Sequence, residues 1–370
     1  MTATDALAAG DGDAEVVAML ASSVGAFLAR RHQRRRLRDG TGGLDLWREM
    51  AELGLTGLTL PVADGGLGPS AVAAVGRIFG EQLIPEPFVA CAVMPAAVIG
   101  ALDAGGVRDE LVAALVEGAE RLGLAWQEAP HQMAGFPCGC RIGSDGRISG
   151  EKRFVIAADR RVLVTAMGAD GPCIALADLA APGVTVVSQA ASDGAAYATL
   201  RFEGAAALSL IVGTPAEVAM AAAFDLGLLA VAAQLTGLAD GVLALTLEHL
   251  RTRVQFERPI GSFQALQHRA VDMRISLALA EASLREAVRL MEARSPHASA
   301  AASAAKARAS ATALSLTKEA IQMHGAIAFT EEADVGLFAR AALKWSGYLG
   351  GARDHRRRFV VLGGDLIDDE

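Results

Sequence analysis

Aromatic residues are scarce in this chain, at 5% with three Trp and two Tyr, and there are only four cysteines. Cys91, Cys138, Cys140 and Cys173 form no C-x-x-C pair and have no His cluster beside them, which excludes a zinc or iron–sulfur module. So few scattered thiols fit a reducing compartment rather than a disulfide framework. Net positive charge is missing as well. A formal charge of -8 argues against nucleic acid or an anionic membrane surface as the main partner. The one basic run, "RRHQRRRLRD" (Arg30 to Asp39), has no aromatic or glycine-rich company and reads as a solvated helix face. The N-terminus "MTATDALAAGDGDAEVVAML" lacks the basic start of a signal peptide. Apolar stretches such as "PFVACAVMPAAVIGALDAGG" are cut by Pro and Gly, so they read as buried core helices rather than spans. These absences predict a soluble, cytoplasmic chain with no metal, no nucleic-acid partner and no membrane insertion.

What is present is bulk apolar content: 52% hydrophobic against 21% charged residues over 370 positions, enough for a sizeable core in two or three domains. In residues 1–119 apolar positions recur at helical spacing. "LWREMAELGLTGL" sets Leu46, Met50, Leu53 and Leu55 along one face, and "PVADGGLGPS" and "IPEPF" break the helices. In residues 120–208 short β-branched runs alternate with turn residues. "SDG" between two such runs signals a hairpin, and a small antiparallel β domain is expected. In residues 209–370 long helical periodicity returns, broken at Pro259 and Gly261, at Ser295 and Pro296, and at Gly325, which predicts a four-helix bundle. The fold class read from this is mainly α with a central β domain.

Several segments together carry a family resemblance. They are "LWREMAELGLTGLTLPVADGGLG", "ISGEKRFVIAADRRVLVTA", "RTRVQFERPIGSFQALQHRAVDM" and "QMHGAIAFTEEADVGLFARAALKW". The pair "R-x-Q-F-x-R-P-I-G-x-F-Q-x-x-Q-H" and "Q-M-H-G…F-T-x-E-x-D" is long and specific. The chain resembles the acyl-CoA dehydrogenase family over nearly its whole length. That resemblance implies a flavoenzyme that oxidises the Cα–Cβ bond of an acyl-CoA. A carboxylate takes the α-proton, the FAD N5 accepts the β-hydride, and FAD lies across a subunit interface. It also implies that Arg253, Gln255, Phe256, Gln322 and Gly325 are the groups given to a neighbouring subunit's FAD. The chemistry suits them: guanidinium pairs with pyrophosphate in a forked geometry, an aromatic ring packs on adenosine, and glycine lets backbone approach phosphate.

The same resemblance locates gaps. The family's base is a glutamate in one of two places, which here hold Leu349 in "GYLGGARDH" and Gly227 in "FDLGLLAV". Asp225 survives nearby but sits about 200° round the helix from Gly227, which makes it a weak candidate. Leu228 replaces an arginine that commonly follows. The flavin-facing "T-E-P-x-x-G-S-D" run survives only as "WQEAPHQMAG", with Glu128 its best-matched member. "W-I-T" has become Phe154, Val155 and Ile156, so the hydroxyl expected near N5 is gone. Phe154 can stack on a ring system, although in so apolar a strand the core reading is the stronger. "H-G-G-x-G" has become "H-G-A-I-A", with Ala326 crowding a phosphate approach. Glu331, Glu332 and Asp334 are expected to cap the next helix, and His268 and His324 to be hydrogen-bonded structural histidines.

The elements a subunit uses for its own flavin ring and substrate are eroded, whereas most of those it gives across the interface remain. That asymmetry resembles the non-catalytic subunit of a bacterial heteromeric (α2β2) acyl-CoA dehydrogenase. It implies a catalytic partner subunit in a heterotetramer that binds most of the acyl-CoA, in degradation of fatty acids or steroid side chains. Two alternatives stand beside it: a self-sufficient homo-oligomeric flavoenzyme with a relocated base or oxygen-activating chemistry, and a flavin-free scaffold protein.

Overall fold

The computed structural model describes residues 11–31, 37, 46–130, 132–133, 136, 139–156, 158–190 and 196–363. Cys138, most of the basic run and part of "WQEAPHQMAG" lie outside the described residues. The helices are α1 (Asp11–Arg31), α2 (Trp47–Glu52), α3 (Gly68–Gln82), α4 (Met94–Gly100) and α5 (Gly106–Val116). Strands follow as β1 (Gly123–Ala125), β2 (Arg141–Ile142), β3 (Arg147–Ile156), β4 (Arg161–Gly168), β5 (Gly171–Asp178), β6 (Val184–Ala190) and β7 (Ala196–Val212). Then come α6 (Thr214–Thr252), the two-residue strands β8 (Val254–Gln255) and β9 (Arg258–Pro259), α7 (Gln264–Glu292), α8 (Ala298–His324), α9 (Val335–Gly347) and α10 (Ala352–Val361). The chain is thus mainly helical with a central β region. It divides into two compact units, residues 1–42, 69–85 and 228–370 in one and residues 43–68 and 86–227 in the other.

In the unit that holds the sheet, seven strands run in the order β1-β4-β2-β3-β7-β5, with β6 on β7 and β5 also paired to β4. The sheet is not antiparallel throughout, as the turn pattern predicts, because β1 and β2 both run parallel to β4. Val162 to Ala166 of β4 are buried without alternation, as in a strand covered on both faces. The "SDG" hairpin forms between β2 and β3, with the Gly146 amide donating to the Gly143 carbonyl at 3.0 Å. Gly146 takes a left-handed φ of 72° there. The helix in "LWREMAELGLTGL" is short. It stops at Glu52 because Gly54 turns left-handed, so Leu55 reaches the core from the loop and Leu53 is only half-buried. The apolar "PFVACAV" forms a buried π-helical turn, Phe88–Val93, that continues as α4.

In the other unit α3 lies against α6 at a separation that only glycine allows. A Cβ on Gly80 would come within 1.8 Å of the Gln234 carbonyl oxygen, and one on Gly237 within 1.9 Å of the Arg77 carbonyl oxygen. Arg77 on α3 then spans to Asp240 on α6 at 3.3 Å and to the buried Glu281 on α7 at 3.2 Å, which keeps the inward acid paired. α6 is long and apolar enough to cross a membrane by length and composition. However, 78% of its most apolar window is buried inside the protein, as in a core helix. α7 and α8 are long antiparallel neighbours. The expected fourth helix is split into α9 and α10 by the loop Tyr348–Gly351.

Candidate cofactor cradle and the expected base positions

The cradle residues begin where α6 ends. The Arg253 amide donates to the His249 carbonyl at 2.9 Å, and the Ile260 amide donates back to the Arg253 carbonyl at 2.8 Å. Between these bonds β8 and β9 pair antiparallel as a two-residue hairpin, Val254 opposite Pro259 and Gln255 opposite Arg258. Its turn residues Phe256 and Glu257 both adopt left-handed φ, 51° and 62°. Two-residue hairpins require that twist, and supplying it without glycine costs on the order of 1 kcal/mol per residue. The strain holds Phe256 at the tip, 85% exposed, with its ring edge-on to Phe263 at 6.1 Å. The Arg258 guanidinium in turn covers the Phe263 ring at 4.2 Å.

The second half of the cradle arrives from the end of α8. Gln322 is exposed on its last turn, and Gly325 leaves the helix at φ 69° and ψ -144°, a region open essentially to glycine alone. A Cβ there would meet nothing within 4 Å, so backbone conformation fixes the glycine and open space lies before it. Ala326 is exposed in the 3-10 turn Gly325–Phe329. The two halves, about seventy residues apart in sequence, are joined by a stacked imidazole pair. His249 of α6 and His324 of α8 have ring centroids 4.2 Å apart and planes 22° from parallel. His324 Nδ1 donates to the Ala320 carbonyl at 2.8 Å, so its expected structural bond is present, whereas His268 is exposed. Burial holds both stacked rings below the ordinary imidazole range, with His324 and Arg253 adding to the effect on His249. Asp334 precedes α9 as expected of an N-cap, yet its side chain makes no capping hydrogen bond.

The two positions where the family resemblance expects a base are of another kind. Gly227 is buried within α6 and carries no side chain, and Leu228 is fully buried. Leu349, 1% exposed, sits in a left-handed φ of 59° in the α9–α10 loop. Below that loop lies Lys306, fully buried on α8. Its Nζ donates to the Ser310 hydroxyl and to the carbonyls of Ser346 and Gly350, each at 3.0 Å. His355, also fully buried, donates from Nε2 to the Leu349 carbonyl at 2.9 Å. The carbonyls of Ser346, Leu349 and Gly350 are thereby pinned. Burial pushes Lys306 down to about 7, against the pull of Asp354, and pushes His355 down to about 4, with Lys306 as the second cause. Asp225 is buried at 8% exposure on α6, beside Phe224, whose ring meets Trp126 edge-on at 5.6 Å.

On the sheet, the core expectation for Phe154 is overturned. The β3–β7 register slips between Lys152 and Val155, and this bulge turns Phe154 outward, 38% exposed at φ 58°, with the Arg153 guanidinium 5.8 Å above its ring. Its ring is thus partly open to solvent rather than packed in the sheet's core. The bulge has an anchor that sequence reasoning missed. Lys152 is fully buried and its Nζ donates to Glu128 Oε1 at 2.8 Å and to the Thr165 hydroxyl at 3.1 Å. Glu128 also accepts the amides of Gly139 and Cys140, each at 2.9 Å, so it fixes the "WQEAP" stretch against the sheet. Its match to the family's run is that of a scaffold residue. Phe329, 82% exposed, ends the 3-10 turn that follows α8. No cluster of His, Cys, Asp and Glu suited to a metal occurs among the described residues.

Comparison with known proteins gives the class. The family model for the acyl-CoA dehydrogenase N-terminal domain matches residues 14–82 and that for the C-terminal domain matches residues 216–361, more than half of the chain together. The chain belongs to the acyl-CoA dehydrogenase family, whose members bind FAD. It is similar to the acyl-CoA dehydrogenase IpdE2 of Mycolicibacterium smegmatis, 36% identical over 134 residues, or 36% of this chain. That match spans 41% of the relative's own length. With FadE27 of Mycobacterium tuberculosis it shares 27% identity over 343 residues, 88% of each chain. Among solved structures it resembles the Tcur3481-Tcur3483 steroid ACAD at 28% identity and a TM-score of 0.85, covering 95% of this chain and 99% of that one.

Proposed function

We propose that this chain is the non-catalytic subunit of a heteromeric, FAD-dependent acyl-CoA dehydrogenase, and that it gives the ADP-binding half of a flavin site to a catalytic partner. One observation carries the reading. Arg253, Gln255, Phe256, Gln322 and Gly325 are all exposed, while the two base positions hold a buried glycine and a buried leucine. A dinucleotide on so open a surface needs a second wall, and a thioester α-proton needs a carboxylate that these two positions do not supply.

The residues present fit the group. The Arg253 guanidinium matches a diphosphate, the Gln255 and Gln322 amides can bond ribose or adenine edges, Phe256 offers a face for adenine, and Gly325 leaves room for phosphate against backbone. When bound, FAD supplies the hydride acceptor. This chain's own part is to hold and orient the ADP portion, while Phe154 on its bulge offers a stacking face on the second unit. The steroid enzyme at 28% identity is named for two different chains, which supports a partnered reading and a bulky acyl-CoA as substrate class.

Co-expression with the acyl-CoA dehydrogenase from a neighbouring gene, followed by co-purification and mass spectrometry, tests the assembly. A yellow complex and a colourless isolated chain are expected. Arg253→Ala should lower flavin content of the complex while association persists. Unchanged flavin occupancy and turnover in that variant would refute the cradle, and flavin bound by the chain alone would favour a self-sufficient enzyme.

A further inference from the structure

We infer that His249 and His324 are themselves ligand contacts of the cradle, a stacked imidazole pair that takes up a proton when a diphosphate binds beside Arg253 and Gly325. The inference rests on the dinucleotide reading above and adds residues and a proton to it.

The geometry supports it at three points. First, the pair is the junction of the two cradle halves: His249 is bonded through its carbonyl to the Arg253 amide, and His324 directly precedes Gly325. Second, the tautomer of His324 is fixed. Because Nδ1 donates to the Ala320 carbonyl, a neutral ring presents a bare Nε2 acceptor, and one added proton turns that atom into a donor suited to an anion. Third, the rings stack closely, and among the described residues no carboxylate is among the groups that act on either of them. Arg253 acts on His249. The carboxylate nearest in α8, Glu319, is ion-paired with Arg269 of α7, and the 3-10 turn "GAIAF" carries no charge. Asp354 of α10 acts on Lys306, further back along α8. Without a ligand, burial holds both rings below the ordinary imidazole range, and His324 adds to the effect on His249. A diphosphate supplies the negative charge that the site lacks, so its binding raises the affinity of the pair for a proton, and by linkage a proton raises affinity for the diphosphate.

The test uses the complex of this chain with its co-expressed partner, stripped of flavin, and ADP-ribose, whose diphosphate diester does not titrate near neutrality. Calorimetry at pH 7 in buffers of different ionisation enthalpy should show net proton uptake on binding. Affinity should weaken about three- to five-fold from pH 6 to pH 8, the part falling in that window of a roughly ten-fold gain in proton affinity at one imidazole. The paired substitution His249→Gln and His324→Gln should remove both effects, and His249→Gln alone should reduce them if the double variant does not fold. Histidine NMR titration of the wild type gives the same answer without any variant, since two imidazole resonances should titrate higher with ADP-ribose than without. Binding that is independent of pH with no proton uptake would overturn the inference and leave the cradle standing. Retention of the pH dependence in the double variant would also overturn it. No binding of ADP-ribose at any pH would overturn both.

Discussion

α8 serves two regions that have been kept in opposite ways. At its C-terminal end the candidate cradle is open: Arg253, Gln255, Phe256, Gln322 and Gly325 are exposed, and strain is spent on presenting Phe256 rather than burying it. Further back along the same helix, the loop at Tyr348–Gly351 is closed. Leu349 is buried, the carbonyls of Ser346, Leu349 and Gly350 are tied to Lys306 and His355, and the backbone keeps a left-handed turn at a leucine. One region leaves an open surface, and the other holds the shape of a loop that carries Leu349 where the family resemblance expects an acid. Such a loop keeps its shape whatever its side chain does, because it is fastened by buried hydrogen bonds whose removal would cost stability.

The largest effect should come from the fastening of the closed loop. Lys306→Met removes three donated hydrogen bonds and leaves two carbonyls without that donor, so a loss of about 3 kcal/mol is expected in chemical denaturation. Hydrogen exchange at Tyr348 to Gly351 should speed up in step. Lys306 also carries a pH signature. Its folded value, about 7, lies below the usual 10.5, so the unfolded chain binds the extra proton between those limits and stability rises with pH across them. In the Met variant that rise should vanish. A loop that exchanges at its original rate in Lys306→Met would erase the contrast between the two regions.

Slightly smaller is the acid limb set by His355. Its folded value near 4 lies below the ordinary 6.5, so only the unfolded chain is protonated in that window, and stability should fall by up to about 3 kcal/mol as pH drops from 6.5 to 4. His355→Gln should flatten this limb in urea titrations at pH 7, 6, 5 and 4. An unaltered slope would assign the acid sensitivity elsewhere.

Leu349 itself allows a finer comparison. At ordinary positions Gly is the less stable replacement relative to Ala, by up to about 1 kcal/mol. At a left-handed position the order should invert, because alanine retains the Cβ conflict that glycine lacks. Both Leu349→Ala and Leu349→Gly lose a buried side chain, but the glycine variant should be the more stable of the two by about 1 kcal/mol in chemical denaturation. The reverse order would mean that the loop relaxes once the leucine is gone.

These regions were not equally legible in the sequence. The candidate cradle is legible as a proposal because its residues lie in contiguous motifs, Arg253, Gln255 and Phe256 in one, Gln322 and Gly325 in the other. The positions where the resemblance expects a base, Gly227 and Leu349, are located through the same registration. Lys306 is hidden inside the alanine-rich tract "ASAAASAAKARASATALS", although helical spacing puts it on the face of Ala302, Ala309 and Ala313, all of them buried. A lone lysine on an apolar face was the available signal. Phe154 defeats the sequence pattern because alternation along β3 predicts its side, and a bulge reverses that side without any mark in composition. The stacking of His249 on His324 depends on where two helix ends meet, which local pattern does not encode.

The smallest expected change in stability belongs to the open region, and it is the one that separates surface from scaffold most cleanly. Phe256 is 85% exposed, so Phe256→Ser removes little buried area and should alter unfolding free energy by no more than about 0.5 kcal/mol. If the ring lies against adenine, ADP-ribose affinity should fall about ten-fold or more, since base–aromatic stacking contributes roughly 1–3 kcal/mol. A purely structural role predicts the opposite pair of results, lost stability with unchanged affinity, because Phe256 would then matter only through its edge contact with Phe263 and the Arg258 guanidinium above it. Measuring both quantities on one variant therefore decides whether the strained turn at Phe256 and Glu257 serves the fold or the ligand.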